Sequence, residues 1–242
     1  MEHITQALFA LVAARPGERV LDVGCGCGRT TAALQERTGA PALGLDVSLP
    51  MVTVAQQLTR PGLAFVHGDA AAYPLTPTHD LLFSRFGVMF FADPVAAFTH
   101  LRAALAPGGR VVFVCWRALA LNVWANLPIA ATRDLLPPQP PADPLAPGPF
   151  AFGDRERLQG ILAGAGFDDV TIQPFDTVMH MGDSLEDAAR DATIIGPLAR
   201  LVGELPATTL AEIRTRIAAA YAPFVTPAGV EPPAAVWFVT AR

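Results

Sequence analysis

The sequence predicts an α/β protein with a doubly wound, mostly parallel sheet at its centre. Short runs that are apolar on both faces alternate with helix-forming segments, and several of these runs end at glycine or aspartate. The length of 242 residues suits one large domain with a sizeable core. Since ligands of open α/β sheets bind at the carboxyl ends of the strands, we expect the functional residues there.

The first half of the chain alternates strand and helix in a regular order. A first helix is predicted over residues 4–14, because Pro16 and Gly17 stop it. The elements that follow are predicted over residues 19–23 (strand), 29–37 (helix), 42–46 (strand), 49–58 (helix), 63–67 (strand), 80–84 (strand), 94–105 (helix) and 110–116 (strand). The turn Pro107-Gly108-Gly109 leads into the last of these strands.

The second half breaks this alternation. A helix is predicted over residues 122–134, but from Pro137 to Pro149 seven of thirteen residues are proline, which predicts a surface loop or linker. The later elements are predicted over residues 154–165 (helix), 170–179 (strand), 184–224 (helical region) and 235–240 (strand). We expect a single domain over residues 1–242, with a Pro-rich insertion at 117–152 and a helical insertion at 184–224 forming a lid or substrate cap.

Composition excludes several classes of function. The net charge is −5 and all 17 basic residues are arginine, which disfavours nucleic-acid binding and excludes a lysine Schiff base. The longest apolar run, residues 7–14, is far shorter than the ~20 residues of a membrane span. No secretory leader is recognised, and Cys25, Cys27 and Cys115 match no zinc-site spacing. We expect a cytoplasmic protein with a small-molecule substrate and with no metal, membrane or nucleic-acid partner; its oligomeric state stays open.

A glycine-rich turn after the first strand is the most informative motif, with the sequence Asp22-Val23-Gly24-Cys25-Gly26-Cys27-Gly28. Glycines at this place let the backbone approach a ligand at a helix N-terminus. A dinucleotide fingerprint would need a third glycine where Arg29 stands. The spacing therefore favours a ligand smaller than a dinucleotide.

Two further acidic residues complete this constellation. Asp46 ends the second predicted strand, where a carboxylate can accept both hydroxyls of a ribose. Asp69 follows the third strand, where a carboxylate can accept from an exocyclic amine such as that of adenine. A single strand-end acid is commonly a helix cap or turn residue. Because three acids follow three consecutive strands, we predict a ligand that contains adenosine.

These motifs resemble those of the class I S-adenosylmethionine-dependent methyltransferases, especially the small-molecule branch similar to ubiquinone and menaquinone methyltransferases (methyltransferase type 11). The resemblance spans about residues 17–117. It rests on Leu21–Gly28, Asp46, Gly68-Asp69-Ala70, Ser84–Phe91 with Asp93-Pro94, Pro107–Arg110 with Trp116, and the closing run Ala235–Arg242. It implies a Rossmann-like sheet of seven strands with an antiparallel last strand, and S-adenosyl-L-methionine as the cofactor.

The resemblance also implies the residues of the cofactor site. They lie at or after the ends of the first four strands: Asp22, Gly24, Cys25, Gly26, Gly28, Thr30, Asp46, Val47, Asp69, Ala70, Ser84, Arg85 and Phe86.

In one respect the chain departs from the pattern, because relatives usually carry a longer segment before the first helix that closes over the cofactor. The pocket is then more open, or it is capped by residues 117–152 and 184–224 or by a neighbouring subunit.

Methyl transfer from a sulfonium needs in-line approach and exclusion of water more than it needs acid–base help. Apolar and polar residues after the fourth and fifth strands are the substrate candidates: Met89, Phe90, Trp116, Asn122 and Trp124. Each either lines an acceptor pocket or packs in the core. For Arg85 two interpretations also stay open, since it either anchors a substrate carboxylate or phosphate or pairs with a nearby acid.

The catalytic residue stays unknown, with His180 at the end of the sixth predicted strand as a candidate base. For His67 we expect a cofactor-neighbour or capping role, and for His100 a solvated helix position. We predict methyl transfer to a small, apolar or aromatic metabolite by in-line displacement. Two alternatives remain: a cofactor-binding member that does not methylate, and a nicotinamide-dependent oxidoreductase, which the absent third glycine disfavours.

Overall fold

The computed structural model describes residues 1–138, 143, 145–203 and 205–242. The helices are α1 (Glu2–Val12), α2 (Arg29–Thr38), α3 (Leu49–Ala55), α4 (Pro94–Ala103), α5 (Val123–Thr132), α6 (Arg155–Gly164), α7 (Leu185–Ala192), α8 (Ala199–Val202) and α9 (Ala207–Tyr221). The strands are β1 (Val20–Val23), β2 (Ala42–Asp46), β3 (Leu63–His67), β4 (His79–Arg85), β5 (Leu105–Trp116), β6 (Thr171–Val178), β7 (Val225–Thr226), β8 (Gly229–Val230) and β9 (Pro233–Ala241).

Seven of the described strands form one sheet in the order β3-β2-β1-β4-β5-β9-β6. The strand β1 pairs in parallel with β2 on one side and with β4 on the other, and the pairs β2–β3 and β4–β5 are also parallel. The sheet is mostly parallel with an antiparallel strand, which confirms the predicted fold class. This order places the carboxyl ends of β1 to β5 at one edge of the sheet, where the candidate site residues follow.

Two elements differ from the sequence-based expectation. The strand β5 begins at Leu105 rather than at residue 110, because Leu105 pairs with His79 and the strand continues through the Pro-Gly-Gly turn with a register shift. A short hairpin of β7 and β8, in which Val225 pairs with Val230, lies in the region after the predicted helical insertion. Local glycine and proline content does not reveal these pairings, because Leu105 pairs with a residue of the preceding strand and the strands of the hairpin have only two residues each.

An aromatic and aliphatic core supports the sheet. The helix α1 buries Ile4, Leu8 and Val12, which recur every four residues on one face. On α4, the ring of Phe98 lies 5.6 Å from that of Phe113 on β5 and 6.3 Å from that of Phe167. These contacts hold helices against a sheet whose central strands are apolar on both faces.

The chain divides into two compact units. The sheet unit contains residues 2–116, 145–174 and 237–242, and the helical unit contains residue 1 with residues 117–144 and 175–236. Within the helical unit, the Tyr221 hydroxyl donates to the Trp124 carbonyl at 2.6 Å, and an Arg216–Asp134 ion pair joins α9 to the turn after α5. These contacts therefore join the described parts of the two predicted insertions within the helical unit.

The proline-rich stretch is described only in part, since residues 139–142 and 144 lie outside the described residues. Residues 145–149 belong to the sheet unit, where the Gly148 amide donates to the Met89 carbonyl at 3.1 Å. None of the helices in the described part of the chain has the length and apolar character that crossing a membrane requires.

Candidate active site

The glycine-rich turn connects β1 to α2 through left-handed backbone conformations, with φ values of 71° at Gly24 and 81° at Gly28. A Cβ atom on Gly24 would lie 2.5 Å from the Gly87 Cα, and one on Gly28 would lie 2.6 Å from the Phe65 ring. The first contact brings the segment after β4 against the turn, and the second packs α2 on β3. No other residue type fits these two positions without moving a neighbour.

Asp22 holds the turn together from beneath. It is fully buried, and its Oδ2 accepts from the Thr30 hydroxyl at 2.8 Å and from the Thr31 hydroxyl at 2.7 Å. Burial raises the pKa of the Asp22 carboxyl to about 6, although both hydroxyls and the charge of Arg85 act in the opposite direction. Asp22 does not line the cavity described below, so the geometry gives it a supporting role for the turn rather than a direct ligand contact.

Asp46 at the end of β2 faces the cavity and bridges two segments. Its Oδ2 accepts from the Gly26 amide at 2.8 Å, and its Oδ1 accepts from the Ser48 amide at 2.8 Å. An ionised carboxylate has about four acceptor sites. Two backbone donors therefore fix the orientation of Asp46 and leave acceptor sites for ligand hydroxyls.

Asp69 and His67 occupy the end of β3. Asp69 is exposed and lines the cavity, while its Oδ1 accepts from the Ala71 amide at 2.9 Å. The His67 Nε2 lies 3.0 Å from the Val47 carbonyl, and this contact joins the ends of β2 and β3. The geometry thus gives His67 the capping position that the sequence suggested.

The segment after β4 is tied to the glycine-rich turn. The Ser84 hydroxyl donates to the Val23 carbonyl at 2.7 Å and accepts from the Gly87 amide at 3.1 Å. Between them, Phe86 has a left-handed φ of 64°, which is unusual for an aromatic residue. Its ring stacks on Trp116 at 4.4 Å with an interplanar angle of 14°. This stack restricts the Phe86 ring to one orientation.

A cavity of about 880 Å³ lies at the carboxyl ends of β1 to β4, within the sheet unit. Its size is in the range of ligand-binding clefts. Its lining includes predicted residues and others: Val23, Gly24, Cys25, Gly26, Cys27, Arg29, Thr30, Leu45, Asp46, Val47, Met51, Gly68, Asp69, Ala70, Ala71, Arg85, Phe86, Gly87, Phe90, Phe91, Ala92, Asp93, Ala96 and Ala97. The structure therefore brings most of the predicted cofactor residues together.

Three predicted cofactor residues lie behind this lining instead. Asp22, Gly28 and Ser84 are absent from the cavity wall, and their contacts hold the turn, the start of α2 and the segment after β4. Cys25 does line the cavity, and burial raises the pKa of its thiol, so it stays protonated as a small apolar group.

The predicted substrate residues have different environments. Phe90 is 47% exposed and lines the cavity, whereas Met89 is buried, and its sulfur accepts from the Trp116 amide at 3.4 Å. Met89 therefore packs in the core and does not line the cavity. Trp116 is also buried and reaches the site through its stack on Phe86.

Asn122 and Trp124 lie in the helical unit and are structural there. The Asn122 side-chain amide donates to the Arg117 and Ala118 carbonyls, and its oxygen accepts from the Trp124 indole and the Ala235 amide. This uses every donor and both acceptor positions of the buried amide. In this geometry the polar atoms of Asn122 are all used within the protein, and its role as a substrate residue stays a prediction.

The remaining histidine candidates are also placed. His180 lies in the helical unit, is partly exposed and has its Nε2 3.3 Å from Asp183. His100 is not simply solvated as expected, because its Nε2 lies 2.8 Å from the Tyr73 carbonyl. Neither residue is in the cavity wall.

Several functional residues escaped the sequence reasoning. Met51, Phe91 and Asp93 line the cavity, and Thr31 shares the support of Asp22. The pair Thr30-Thr31, which follows Gly28 and Arg29, is the sequence signal for this support. Met51 gave no signal, because its place depends on how α3 packs over the turn.

The residues present fit an adenosine-containing cofactor. The glycine-rich turn exposes backbone without side chains, and Asp46 retains acceptor sites next to it. Val47 and Met51 are 67% and 48% exposed, which is unusual for apolar side chains in a cavity wall and leaves apolar surface for a planar base. In the described part of the chain, no cluster of three His, Cys, Asp or Glu residues could hold a metal ion.

Comparison with known proteins gives a family match over the strands that form this site. Residues 20–109 match the model of a family described as methyltransferase domain. The chain is 29% identical over 182 residues to the demethylmenaquinone methyltransferase of Staphylococcus epidermidis, covering 69% of this chain and 76% of the relative. It is 29% identical over 226 residues to the trans-aconitate 2-methyltransferase of Deinococcus radiodurans, covering 88% and 84%.

Solved structures share the fold. The YcgJ protein from Bacillus subtilis aligns with a TM-score of 0.65 and 18% identity over 100% of this chain and 98% of that one. The phosphoethanolamine N-methyltransferase 2 of Haemonchus contortus, in complex with phosphomonomethylethanolamine and S-adenosylhomocysteine, aligns with a TM-score of 0.59 and 17% identity over 99% and 52%. The resemblance drawn from the motifs is confirmed by the family match and by these relatives.

Proposed function

We propose a substrate class for this chain, which belongs to the class I S-adenosylmethionine-dependent methyltransferases and uses S-adenosylmethionine as its cofactor. It transfers a methyl group to a small molecule whose body is apolar or aromatic. The observation that carries this proposal is the aromatic side of the cavity, where Phe86, Phe90 and Phe91 line the wall. The relatives are named for small acceptors, demethylmenaquinone and trans-aconitate.

The acidic side of the cavity supports the cofactor role of the strand ends. Asp46 would accept from the ribose hydroxyls, Asp69 would accept from the adenine amine, and Gly24 and Gly26 would present backbone to the ligand. When bound, S-adenosylmethionine supplies a methyl group on a sulfonium that is already activated for displacement. The protein then has to orient the two reactants and exclude water.

Aromatic side chains would exclude water from the site. The faces of Phe86 and Trp116 are parallel and in contact, so Phe86 has little freedom to move away from the cavity. Aromatic faces also attract cations, which favours a sulfonium beside them. A rigid aromatic wall thus serves both to exclude water and to position a planar acceptor.

The cavity wall offers no evident general base. In the described part of the chain it contains no histidine, and Asp46, Asp69 and Asp93 each accept a backbone N–H. The three aspartates are therefore oriented by the backbone, and none of them is assigned to proton removal. His180 stays a prediction; if it removes a proton, His180→Gln lowers kcat and leaves KM nearly unchanged.

We also propose where the protein acts and which segments cover its substrate. The protein acts in the cytoplasm and has no nucleic-acid partner, which its net charge of −5 and lack of lysine support. Residues 117–152 and 184–224 form the substrate cap, because there the chain leaves the alternation of strand and helix. Limited proteolysis with and without S-adenosylhomocysteine tests the cap, and sedimentation measures the oligomeric state.

Binding and label transfer test the proposed function. Calorimetry should show that S-adenosylhomocysteine binds the protein and that NAD⁺ does not. Incubation with methyl-labelled S-adenosylmethionine and a library of aromatic, unsaturated and hydrophilic saturated metabolites should then place label in at least one aromatic or unsaturated acceptor. Asp46→Ala should lower the transfer at a limiting concentration of S-adenosylmethionine, while Asp168→Ala, which removes an exposed aspartate of the same unit, serves as the matched control. Label found only in hydrophilic, saturated acceptors contradicts the substrate class.

A further inference from the structure

We infer that Arg85 is a specificity residue that binds a carboxylate on the acceptor molecule. This inference deepens the proposed function and rests on it, because it names a chemical group that the acceptor carries in addition to its apolar body. The observation behind it is an arginine that lines the cavity and has no hydrogen-bond or ion-pair partner among the residues that the structure describes.

Arg85 differs from the other arginines that are shielded from solvent. In the described part of the chain, each of the other partly buried arginines donates to a carboxylate, carbonyl or hydroxyl oxygen: Arg19, Arg110, Arg117, Arg157, Arg214 and Arg216. Arg85 alone among these partly buried residues has no hydrogen bond, ion pair or ring contact there, and its Nε is enclosed without an acceptor. Since an arginine is charged at any physiological pH, its charge is left for a ligand.

No aspartate that lines the cavity forms an ion pair with Arg85 in the described part of the chain. Asp46 and Asp93, which share the cavity wall, are oriented by the backbone amides of Ser48 and Ala96. The carboxylate of Asp22 feels the charge of Arg85, yet its free Oδ1 and the Arg85 Nε both lack a hydrogen-bond partner, so no ion pair joins them. The sequence left open whether Arg85 pairs with a nearby acid; the described structure contains no such pair.

The neighbourhood of Arg85 favours a carboxylate on a planar body. Phe86 follows Arg85 directly and lines the cavity with its stacked ring. Phe90 lines the same cavity, and its ring is exposed. The planar guanidinium of one arginine matches the two oxygens of one carboxylate, and a charge-assisted pair in an apolar cleft is strong and directional. A phosphate dianion would have more charge than a single arginine can balance. The geometry therefore points to an aromatic or unsaturated carboxylic acid.

A binding experiment tests this inference separately from the proposed function. Wild-type protein, Arg85→Met and Arg85→Lys are first titrated with S-adenosylhomocysteine by calorimetry. Each protein, saturated with S-adenosylhomocysteine, is then titrated with cinnamate, with its neutral analogue cinnamamide and with inorganic phosphate. Arg155→Met is the matched control, because it removes an exposed arginine from the start of α6 in the same unit.

We expect S-adenosylhomocysteine to bind the wild type and Arg155→Met with affinities within about threefold, and each Arg85 variant is saturated according to its own measured affinity. Cinnamate should bind the wild type and Arg155→Met roughly tenfold or more tightly than cinnamamide, since hydrogen bonds to charged groups contribute that much. Arg85→Met should lose this preference, and Arg85→Lys should recover part of it.

Three results would overturn the inference: no preference for cinnamate in the wild type, a preference that survives in Arg85→Met, or phosphate binding as tight as that of cinnamate. A loss of S-adenosylhomocysteine affinity in Arg85→Met alone would assign the residue to the cofactor or to the support of Asp22. Failure of the wild type to bind S-adenosylhomocysteine would instead contradict the proposed function.

Discussion

The buried carboxylate of Asp22 should make this protein less stable as pH rises, which is the reverse of the usual behaviour of an aspartate. Burial raises its folded-state pKa to about 6 from the ordinary value of 3.8. Between these two values the folded protein holds a proton that the unfolded chain has released. The contribution of Asp22 to stability is therefore complete below about pH 4 and is lost as pH rises through about 6.

The magnitude follows from the size of the pKa shift. A difference of about two pKa units corresponds to roughly 3 kcal/mol between the protonated and ionised limits. Over the experimentally accessible window from pH 4.5 to 7.5, the linkage relation gives a loss of about 2 kcal/mol in the free energy of unfolding. Asp22→Asn should lack this component, because its side chain does not titrate and its oxygen can still accept from Thr30 and Thr31.

Urea unfolding at intervals between pH 4.5 and 7.5 measures the effect. We expect the wild type to lose about 2 kcal/mol more than Asp22→Asn over this window, whatever the absolute stability of the variant. The matched control is Glu156→Gln, which makes the same carboxylate-to-amide change at an exposed position in the first turn of α6 and should parallel the wild type. Parallel profiles for the wild type and Asp22→Asn would show that the buried carboxylate is not destabilised by its surroundings.

Other predictions concern the site and its support. Asp46→Ala should weaken S-adenosylhomocysteine binding by about 1–3 kcal/mol in calorimetry, because charge-assisted hydrogen bonds are lost; unchanged affinity would contradict the ribose role. Gly87→Ala should impair folding, measured as a lower Tm, since its Cβ would lie 2.4 Å from the Val23 carbonyl oxygen. Phe90→Ala should raise KM for the acceptor and leave S-adenosylhomocysteine affinity within twofold, and equal losses in both would refute the assignment of this ring to the acceptor side. Tyr221→Phe should lower the free energy of unfolding by about 1–2 kcal/mol, because a buried hydroxyl-to-carbonyl bond is lost.

Most of the sheet could be predicted because each strand carries its own signal. Runs such as residues 42–46 are apolar on both faces and end at a polar residue, so their type and direction are readable locally. The start of β5 was not readable, since Leu105 joins the sheet by pairing with His79 of the preceding strand. The hairpin of β7 and β8 is also invisible locally, because two-residue strands have no periodicity.

The sequence predicts which residues lie near the candidate site. It does not separate the residues that line the cavity from those that support the turn. Asp22 and Asp46 both lie near the ends of adjacent strands, and the sequence assigns both to the cofactor. The structure separates them: the Asp22 carboxylate is held beneath the turn by two threonine hydroxyls, and that of Asp46 faces the cavity. The direction of a side chain relative to a turn depends on the packing of the next helix, which strand-end patterns do not encode. The contacts of Asn122 are likewise not readable locally, because Ala235, a distant residue in the chain, donates one of its hydrogen bonds.

The strand order explains why a single cavity has an acidic side and an aromatic side. In the order β3-β2-β1-β4-β5, the ends that carry Asp46 and Asp69 lie on one side of β1, and the end that carries Phe86 lies on the other. The boundary between them is the contact of Gly24 with Gly87, where a Cβ atom on Gly24 would lie 2.5 Å from the Gly87 Cα. Because both residues lack side chains, the turn after β1 and the segment after β4 can approach this closely. The proposed cofactor acids Asp46 and Asp69 and the proposed acceptor ring of Phe90 thus follow strands on opposite sides of β1 and line the same cavity.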